Sequence, residues 1–465
     1  MYVKDPFSTV AAISTPRGKG GIAVIRISGE DTVRILEKCF VPKGAALSSR
    51  PFRTAVYGDI VSDGAVLDTG ICVLYEKGRS FTGETMAELS CHGGVYVTNA
   101  VLEAVFAAGA EPAGRGEFTK RAFINGKMSL SEAEAVGKLI DADTASRASL
   151  ASGAVRGNLS DALGRTAGAL LDVMTALYAA IDYPEEDVGT EGEDGIYKVV
   201  SDSLEALEKI RKTYKTGRAV ADGIKTVICG SPNVGKSSLY NLLLGEERAI
   251  VTDVAGTTRD VLEDTVDVGG VTLRLLDTAG IRDTDDKVER IGVGRSREKI
   301  AQAELVICVV DSSRPLSGED VELIEYVNGS GCEVIYVENK SDCRKDGASF
   351  EKDDLFIRSA GSVVSMSALT GEGKAQLEAL ISKLYNEDAI DVSRDAVIWN
   401  AAQKAALERA CEGLEATKSA LEEQSPLDAV GVVCEEAIAN ILMIDGRDVS
   451  EEIIDGIFSK FCVGK

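Results

Sequence analysis

The chain has 465 residues, 45% of them hydrophobic, and a formal net charge of −24, so two to four domains with cores of their own are expected. The acidic balance weighs against a broad, sequence-blind nucleic-acid binder, which needs basic surface to displace counterions, but it leaves room for a local basic groove. No run approaches the roughly 20 apolar residues that cross a bilayer, the N-terminus shows no targeting pattern, and ten scattered cysteines without a CxxC read as free thiols; a cytoplasmic protein with no membrane partner is expected.

In chain order, residues 1–118 read as a mixed α/β domain. Strands are predicted over 10–13, 21–27 and 69–74, separated by turn signals at Pro16, Gly18, Gly20, Gly21 and Gly64. Helical spacing covers 31–40 and 95–108. From 129 the texture becomes helical: Ser131 and Glu134 have capping-box spacing, and an Ala-rich run continues to 181. Residues 182–194 hold seven carboxylates and no Lys or Arg, a solvated loop. Ile196, Val200, Leu204, Leu207, Ile210 and Tyr214 then share one helix face.

Over 223–385, apolar strands at 227–229, 273–276, 305–310 and 334–337 alternate with helical segments, which predicts a parallel sheet wrapped by helices. Helical periodicity returns beyond 386, through Leu407 and Leu414, then Val430 to Ile441, then Ile453, Ile457, Phe458 and Phe461. The expected fold class is therefore α/β and all-α multidomain. Residues 1–118 form an N-terminal α/β domain and 119–222 the first half of a helical domain. Residues 223–385 form an inserted α/β domain, which the motifs that follow make a Ras-like P-loop domain, and 386–465 complete the helical part.

The inserted region carries five guanine-nucleotide motifs in order. Gly230 to Ser237 is a Gly-rich loop whose backbone N–H groups point at phosphates at a helix N-terminus. It includes Asn233, Val234, Gly235, Lys236 and Ser237, with Ser238 following. Lys236 is expected to neutralise β/γ oxygens and the Ser237 hydroxyl to ligate Mg2+. A polar segment follows with Thr252, Asp253, Val254, Ala255, Gly256, Thr257 and Thr258. Thr258 is the choice for completing the Mg2+ shell when the γ-phosphate is present. Asp277, Thr278, Ala279 and Gly280 end a strand, where the carboxylate can hold Mg2+ through water and Gly280 N–H can meet the γ-phosphate. Asn339, Lys340, Ser341 and Asp342, with Ser367 and Ala368, select the base. A carboxylate that takes two N–H bonds from guanine is left unsatisfied by adenine, a discrimination that reaches about 10⁴ to 10⁵. GTP over ATP follows.

Where Ras-like switches place a water-orienting glutamine, this chain has Ile281. Another group must orient water, and Glu289 is the candidate, with a solvated helix charge as the equal alternative. No internal arginine finger stands out beyond Arg259, which leaves a positive charge worth about 10³ to 10⁵ in rate to come from elsewhere. Two readings are also open for Cys462: a small apolar residue continuing the Phe458 and Phe461 stripe, or a thiol presented by the last residues of the chain. By residue type alone Arg26 and Lys127 read as an edge and a loop charge. His92, beside Gly93 and Gly94, reads as a turn residue.

Further stretches carry a resemblance. They are residues 20–29, 80–84, 92–94 and 114–119, the helical marker at 181–186, the segment 288–292, and the terminal Phe461, Cys462, Val463, Gly464 and Lys465. Over essentially its whole length the chain resembles the tRNA modification GTPase family called MnmE or TrmE. The resemblance implies a homodimer that works with a flavin- and NADH-dependent partner, MnmG (GidA). Together they would add an aminomethyl or carboxymethylaminomethyl group to C5 of the wobble uridine in tRNA. It implies a tetrahydrofolate one-carbon donor bound between N-terminal domains, with contacts mapping to Arg26, Glu88, Lys127 and Lys465. It implies K+ in place of an arginine finger, with ligands at Asn233, Thr252, Val254 and Thr257. It also assigns water orientation to Glu289 and brings a catalytic reading of Cys462 level with the packing one. The rival class is a GTP-dependent ribosome-assembly factor, which shares the nucleotide motifs; such proteins add a basic RNA-binding module or a second GTPase domain, and this acidic chain shows neither.

Overall fold

The computed structural model describes residues 8–182, 192–245, 264–276, 299–344, 362–386, 389–446, 457–459 and 461–464. They fall into two compact units, Met1–Gly137 with Leu442–Lys465, and Lys138–Ile441. Residues 442–465, read from the sequence as continuing the helical part, group here with the N-terminal residues. Of the expected segments, 1–118 falls within the first unit and 223–385 within the second, while 119–222 and 386–465 each cross the division.

The first unit is built on a seven-stranded sheet of β1 (Val10–Ile13), β2 (Ile22–Ser28), β3 (Phe40–Pro42), β4 (Ala55–Ser62), β5 (Ala65–Tyr75), β6 (Met86–His92) and β7 (Glu111–Pro112). The order is β3-β4-β5-β6-β2-β1-β7. Period-two alternation sends Ala23, Ile25 and Ile27 of β2 and Ala87, Leu89 and Cys91 of β6 to one face. There they pack with Ile35 and Leu36 from the helix Thr32–Cys39 and with Val101, Ala104 and Val105 from Val95–Ala107. The opposite face carries Arg26 and Glu88, cross-strand partners in the β2–β6 register. The helix Leu130–Ile140 closes the unit. Its capping box is Ser129 with Glu132, since Glu132 N donates to Ser129 Oγ (3.2 Å) and Ser129 N to Glu132 Oε2 (3.2 Å). The expected pair of Ser131 and Glu134 is thus two residues out of place, because the Ser131 hydroxyl is buried and donates to the Ile444 carbonyl at 2.9 Å. Phe458 and Phe461 join Leu130 and Ala133 in a small core.

The second unit combines helices with a six-stranded sheet, order β13-β12-β11-β8-β10-β9. These are β8 (Ile224–Cys229), β9 (Asp264–Val268), β10 (Val271–Leu275), β11 (Leu305–Asp311), β12 (Glu333–Asn339) and β13 (Ser362–Ser365). All pairs are parallel except β9 with β10. Every residue of β11 is buried, as befits a central parallel strand covered on both faces. One face packs Leu239 and Leu243 of the helix Lys236–Leu244 with Leu377 and Ile381 of Lys374–Tyr385. The other packs Ile324 and Val327 of Gly318–Asn328. The helices are Ala145–Val155, Asn158–Asp182, Gly192–Lys212, Tyr214–Ala221, Ala401–Glu422 and most of Leu427–Ile444. The Ala-rich run expected up to 181 is therefore interrupted twice: Thr144 caps a new helix, and Gly157, at φ +83°, ends it.

Candidate functional site

The nucleotide motifs converge at the ends of β8 and β12. After Cys229 the chain turns through Gly230 to Gly235, with Asn233 at φ +62° and Gly235 at φ +99°, and enters the helix at Lys236. That helix N-terminus, preceded by a Gly-rich turn, is an anion site by construction. The Lys236 ammonium donates to the carbonyls of Gly230 (3.0 Å) and Ser231 (2.9 Å). Ser237 is half-buried and Ser238 exposed in the first helical turn.

Asn339, only 2% exposed, fastens three segments. Its Nδ2 donates to Val234 O at 2.8 Å, and its Oδ1 accepts from Ala368 N at 2.8 Å. Any Cβ on residue 235 would stand 2.1 Å from that Nδ2, so the loop must carry glycine there. Lys340 sits at φ +64° and its ammonium donates to Asn233 O at 2.7 Å and to Asp311 Oδ2 at 2.6 Å. Ser341 N donates to Met366 O at 3.1 Å. The Ser367 hydroxyl, then the Cys343 thiol, hold the Asp342 carboxyl below the usual carboxylate range. The Gly-rich loop, the segment 339–342 and the Ser367–Ala368 turn are thus brought together, and a carboxylate kept ionised is suited to accept from a guanine N–H edge. Thr252, Asp253, Val254, Ala255, Gly256, Thr257, Thr258, Asp277, Thr278, Ala279, Gly280, Ile281 and Glu289 lie outside the described residues. Asp311 was not among the expected site residues. The signal for it is a carboxylate ending an otherwise apolar strand, in register with Asn339.

In the first unit, Arg26 Nη2 pairs with Glu88 Oε1 at 2.8 Å, and Tyr75 OH donates to Glu88 Oε2 at 3.3 Å. The Arg26 guanidinium lies 5.1 Å from the Phe81 ring centroid and 5.6 Å from that of Phe118. Its Nε is buried without a hydrogen-bond partner among the described residues. Lys127 Nζ donates to Gly78 O at 3.0 Å and Asn125 Nδ2 to Thr82 O at 2.7 Å, so both brace the loop that bears Phe81. His92 ends β6 with its Nδ1 2.7 Å from Asp68 Oδ1.

The C-terminal residues are clasped by the same unit. Gly116 N donates to Cys462 O at 3.2 Å, Arg115 Nε to Phe461 O at 2.8 Å, and Arg115 bridges to Val463. The Ser14 hydroxyl donates to Gly464 O at 2.9 Å. Gly464, at φ +98°, lies where a Cβ would be 2.1 Å from Ile13 O. The Cys462 thiol is exposed. Lys465 lies outside the described residues.

A parallel sheet with a Gly-rich loop after its central strand and an Asn-Lys-Ser-Asp segment at the end of another defines a Ras-like P-loop GTPase fold. The family profile "MnmE helical domain" matches residues 130–462, and "GTP-binding protein TrmE N-terminus" matches 9–127. The tRNA modification GTPase MnmE of Clostridioides difficile (strain 630) is 39% identical over 471 residues, covering 100% of both chains. That of Lactiplantibacillus plantarum is 40% identical with the same coverage. Among solved structures, the FeoB G-domain from Methanococcus jannaschii aligns at 25% identity and a TM-score of 0.26, over 35% of this chain and 97% of its own; the family assignment does not depend on it. The chain belongs to the tRNA modification GTPase family MnmE, and is a GTP-binding GTPase involved in tRNA modification. No helix among the described residues is long and apolar enough to cross a membrane.

Proposed function

We propose that this chain is the potassium-stimulated, folate-binding GTPase of a cytoplasmic complex with MnmG, acting as a homodimer to add an aminomethyl or carboxymethylaminomethyl group to C5 of wobble uridine in tRNA. The observation that carries the reading is the meeting of the chain's two ends. The segment 115–118 holds the carbonyl of Cys462 through Gly116 N and offers the Phe118 ring to Arg26. Ser14, which holds Gly464, lies two residues beyond Ala12, the register partner of Arg26. An exposed thiol and a guanidinium–carboxylate–aromatic surface therefore share one neighbourhood.

That surface fits a tetrahydrofolate. The Glu88 carboxylate accepts from N–H donors of a flat heterocycle, Phe81 offers it a ring, Phe118 backs the Arg26 guanidinium from the core, and the buried Arg26 Nε still has a bond to donate. Lys127 braces the Phe81 loop, and Lys465 is assigned to the same ligand. When bound, the folate supplies the one-carbon unit, and Cys462 is the thiol assigned to the chemistry beside it.

In the nucleotide site Asn339 and Asp342 select guanine, with Ser341, Ser367 and Ala368 shaping the base pocket. Lys236 meets the β/γ-phosphates; the loop residues Asn233, Val234, Gly235, Ser237 and Ser238 cradle them. Ser237 and Thr258 are assigned to Mg2+, with Asp277 behind it, and Gly280 N–H to the γ-phosphate. Asn233, Thr252, Val254 and Thr257 offer hard oxygens to K+, which supplies positive charge in the place of an arginine finger. Glu289 orients the attacking water. Nucleoside analysis of tRNA from a strain lacking this gene is expected to show wobble uridine without its C5 group. Normal modification there overturns the reading, and equal GTP hydrolysis in potassium and sodium overturns its potassium part.

A further inference from the structure

Asp311 ends β11 beside Asn339, and the turn that follows begins by bonding to the segment 339–342. Ser312 donates to the Asn339 carbonyl twice, from N at 2.9 Å and from Oγ at 2.7 Å. The Asp311 carboxylate divides its two oxygens: Oδ1 accepts from Ser313 N (3.0 Å) and Ser313 Oγ (2.6 Å), and Oδ2 from Lys340 Nζ (2.6 Å). Its side chain is 8% exposed, and Lys340 is 34% exposed. The same ammonium reaches Asn233 O at 2.7 Å in the phosphate loop. Lys340 is thus pinned at its backbone by a left-handed conformation and at its tip by two oxygens from different segments.

We propose that Asp311 is a positioning residue for guanine-nucleotide binding: its carboxylate holds the Lys340 ammonium against the Asn233 carbonyl, so that the lysine stem is already laid along the base site before nucleotide arrives. Asp311 itself touches no nucleotide. A lysine stem with four rotatable bonds is costly to order on binding, and a buried carboxylate that orders it beforehand removes that cost. The charge state agrees: burial works to raise the Asp311 carboxyl, but hydrogen bonds from Lys340 and Ser313 and the lysine charge prevail and hold it below its ordinary value. The inference rests on reading Asn339, Lys340 and Asp342 as the guanine site.

The test is titration of the full-length chain with a fluorescent GDP and a fluorescent GTP analogue. Asp311→Asn keeps the shape and removes the charge. It is expected to weaken both nucleotides by up to about tenfold, the order set by freeing one rotamer-rich side chain, with kcat at saturating GTP unchanged and the nucleotide-free melting temperature unmoved. Asp311→Glu is expected to recover part of the loss. In a double-mutant cycle, adding Asp311→Asn to Lys340→Ala is expected to cost nothing further, because both act through one lysine. Affinities of Asp311→Asn within twofold of the parent overturn the proposal, as does a fully additive double mutant. If Asp311→Asn melts early, Asp311→Glu and the cycle decide by the same criteria. Should Lys340→Ala and Asp342→Ala also leave affinity intact, it is the guanine-site reading that fails; should they abolish binding while Asp311→Asn does not, only the positioning role does.

Discussion

At the residue scale, the proposed base recognition depends on a carboxylate being ionised, and Asp342 has neighbours that favour that form. The Ser367 hydroxyl and the Cys343 thiol stabilise its charged form, so its proton is bound only at pH below the ordinary carboxylate value of about 3.9. The sign follows from linkage. On the proposed reading guanine nucleotide binds the ionised form, so the contribution of Asp342 to affinity is full from neutral pH down through the usual carboxylate range and falls only beneath it. Ser367→Ala removes the first of those partners and raises the Asp342 value towards the ordinary one, so the acid limb of affinity moves to higher pH. Fluorescent GDP affinity measured against pH for parent and variant checks this, and coincident profiles would refute it. Asn339, Lys340 and Asp342 were legible in the sequence as candidates because their spacing is local, and Asn339 and Lys340 do reach the Gly-rich loop. Asp311 was not, since a carboxylate closing an apolar strand also reads as an ordinary strand end. What identifies it is a lysine 29 residues away in the chain.

At the element scale, the helix Ala145–Val155 is started from outside as well as from within. Thr144 Oγ1 accepts from Arg147 N at 3.3 Å, while Asp267 at the end of β9 accepts from Ser146 N at 3.0 Å and from the Ser146 hydroxyl. Thr265 Oγ1 donates to Asp143 Oδ2 at 2.6 Å, and Thr144 Oγ1 lies 3.2 Å from Thr272 Oγ1. The β9–β10 hairpin is therefore riveted to a helix of the flanking helical segment. A carboxylate at a helix N-terminus satisfies an orphan donor and meets the positive end of the helix dipole. Asp267→Ala is expected to cost about 1 kcal/mol, the size of a lost cap. Faster hydrogen exchange at the first turn of Ala145–Val155 and in β9 is the readout, and unchanged protection would show that the contact carries no stability. The strands legible in the sequence were those with branched apolar runs, such as β8, β10, β11 and β12. The strands β4 and β6 escaped because Gly58, Asp59 and the small residues Ala87 and Cys91 carry their alternation. The interruptions of the Ala-rich run were hidden for a related reason. Thr144 and Gly157 act through backbone geometry that composition does not show.

At the scale of the whole molecule, the chain's two ends form one structural unit, and no periodicity in the sequence pairs Val463 with Arg115 across almost 350 residues. Only the terminal motif and the segment 114–119 were visible, each by its own resemblance, and their contact was not. The contact is polar and directional: a guanidinium on Phe461 O, a backbone N–H on Cys462 O, a hydroxyl on Gly464 O. It fixes backbone on either side of the thiol and leaves the thiol exposed. Arg115 is the member that can be removed without touching a strand. Losing a charged donor to a carbonyl costs at most about 1.5 to 3 kcal/mol, less for an exposed side chain such as this one, and it removes one of the ties that hold the terminal segment. Arg115→Ala is therefore expected to raise hydrogen exchange at 461–464 and to lower wobble uridine modification in complemented cells. GTP hydrolysis by the purified variant is expected to match the parent, because the nucleotide site is built wholly from residues of the other unit. Impaired hydrolysis with modification intact would reverse the assignment of chemistry to the chain ends. Loss of modification with hydrolysis intact supports the proposed division of labour between the GTPase sheet, β8 to β13, and the chain ends.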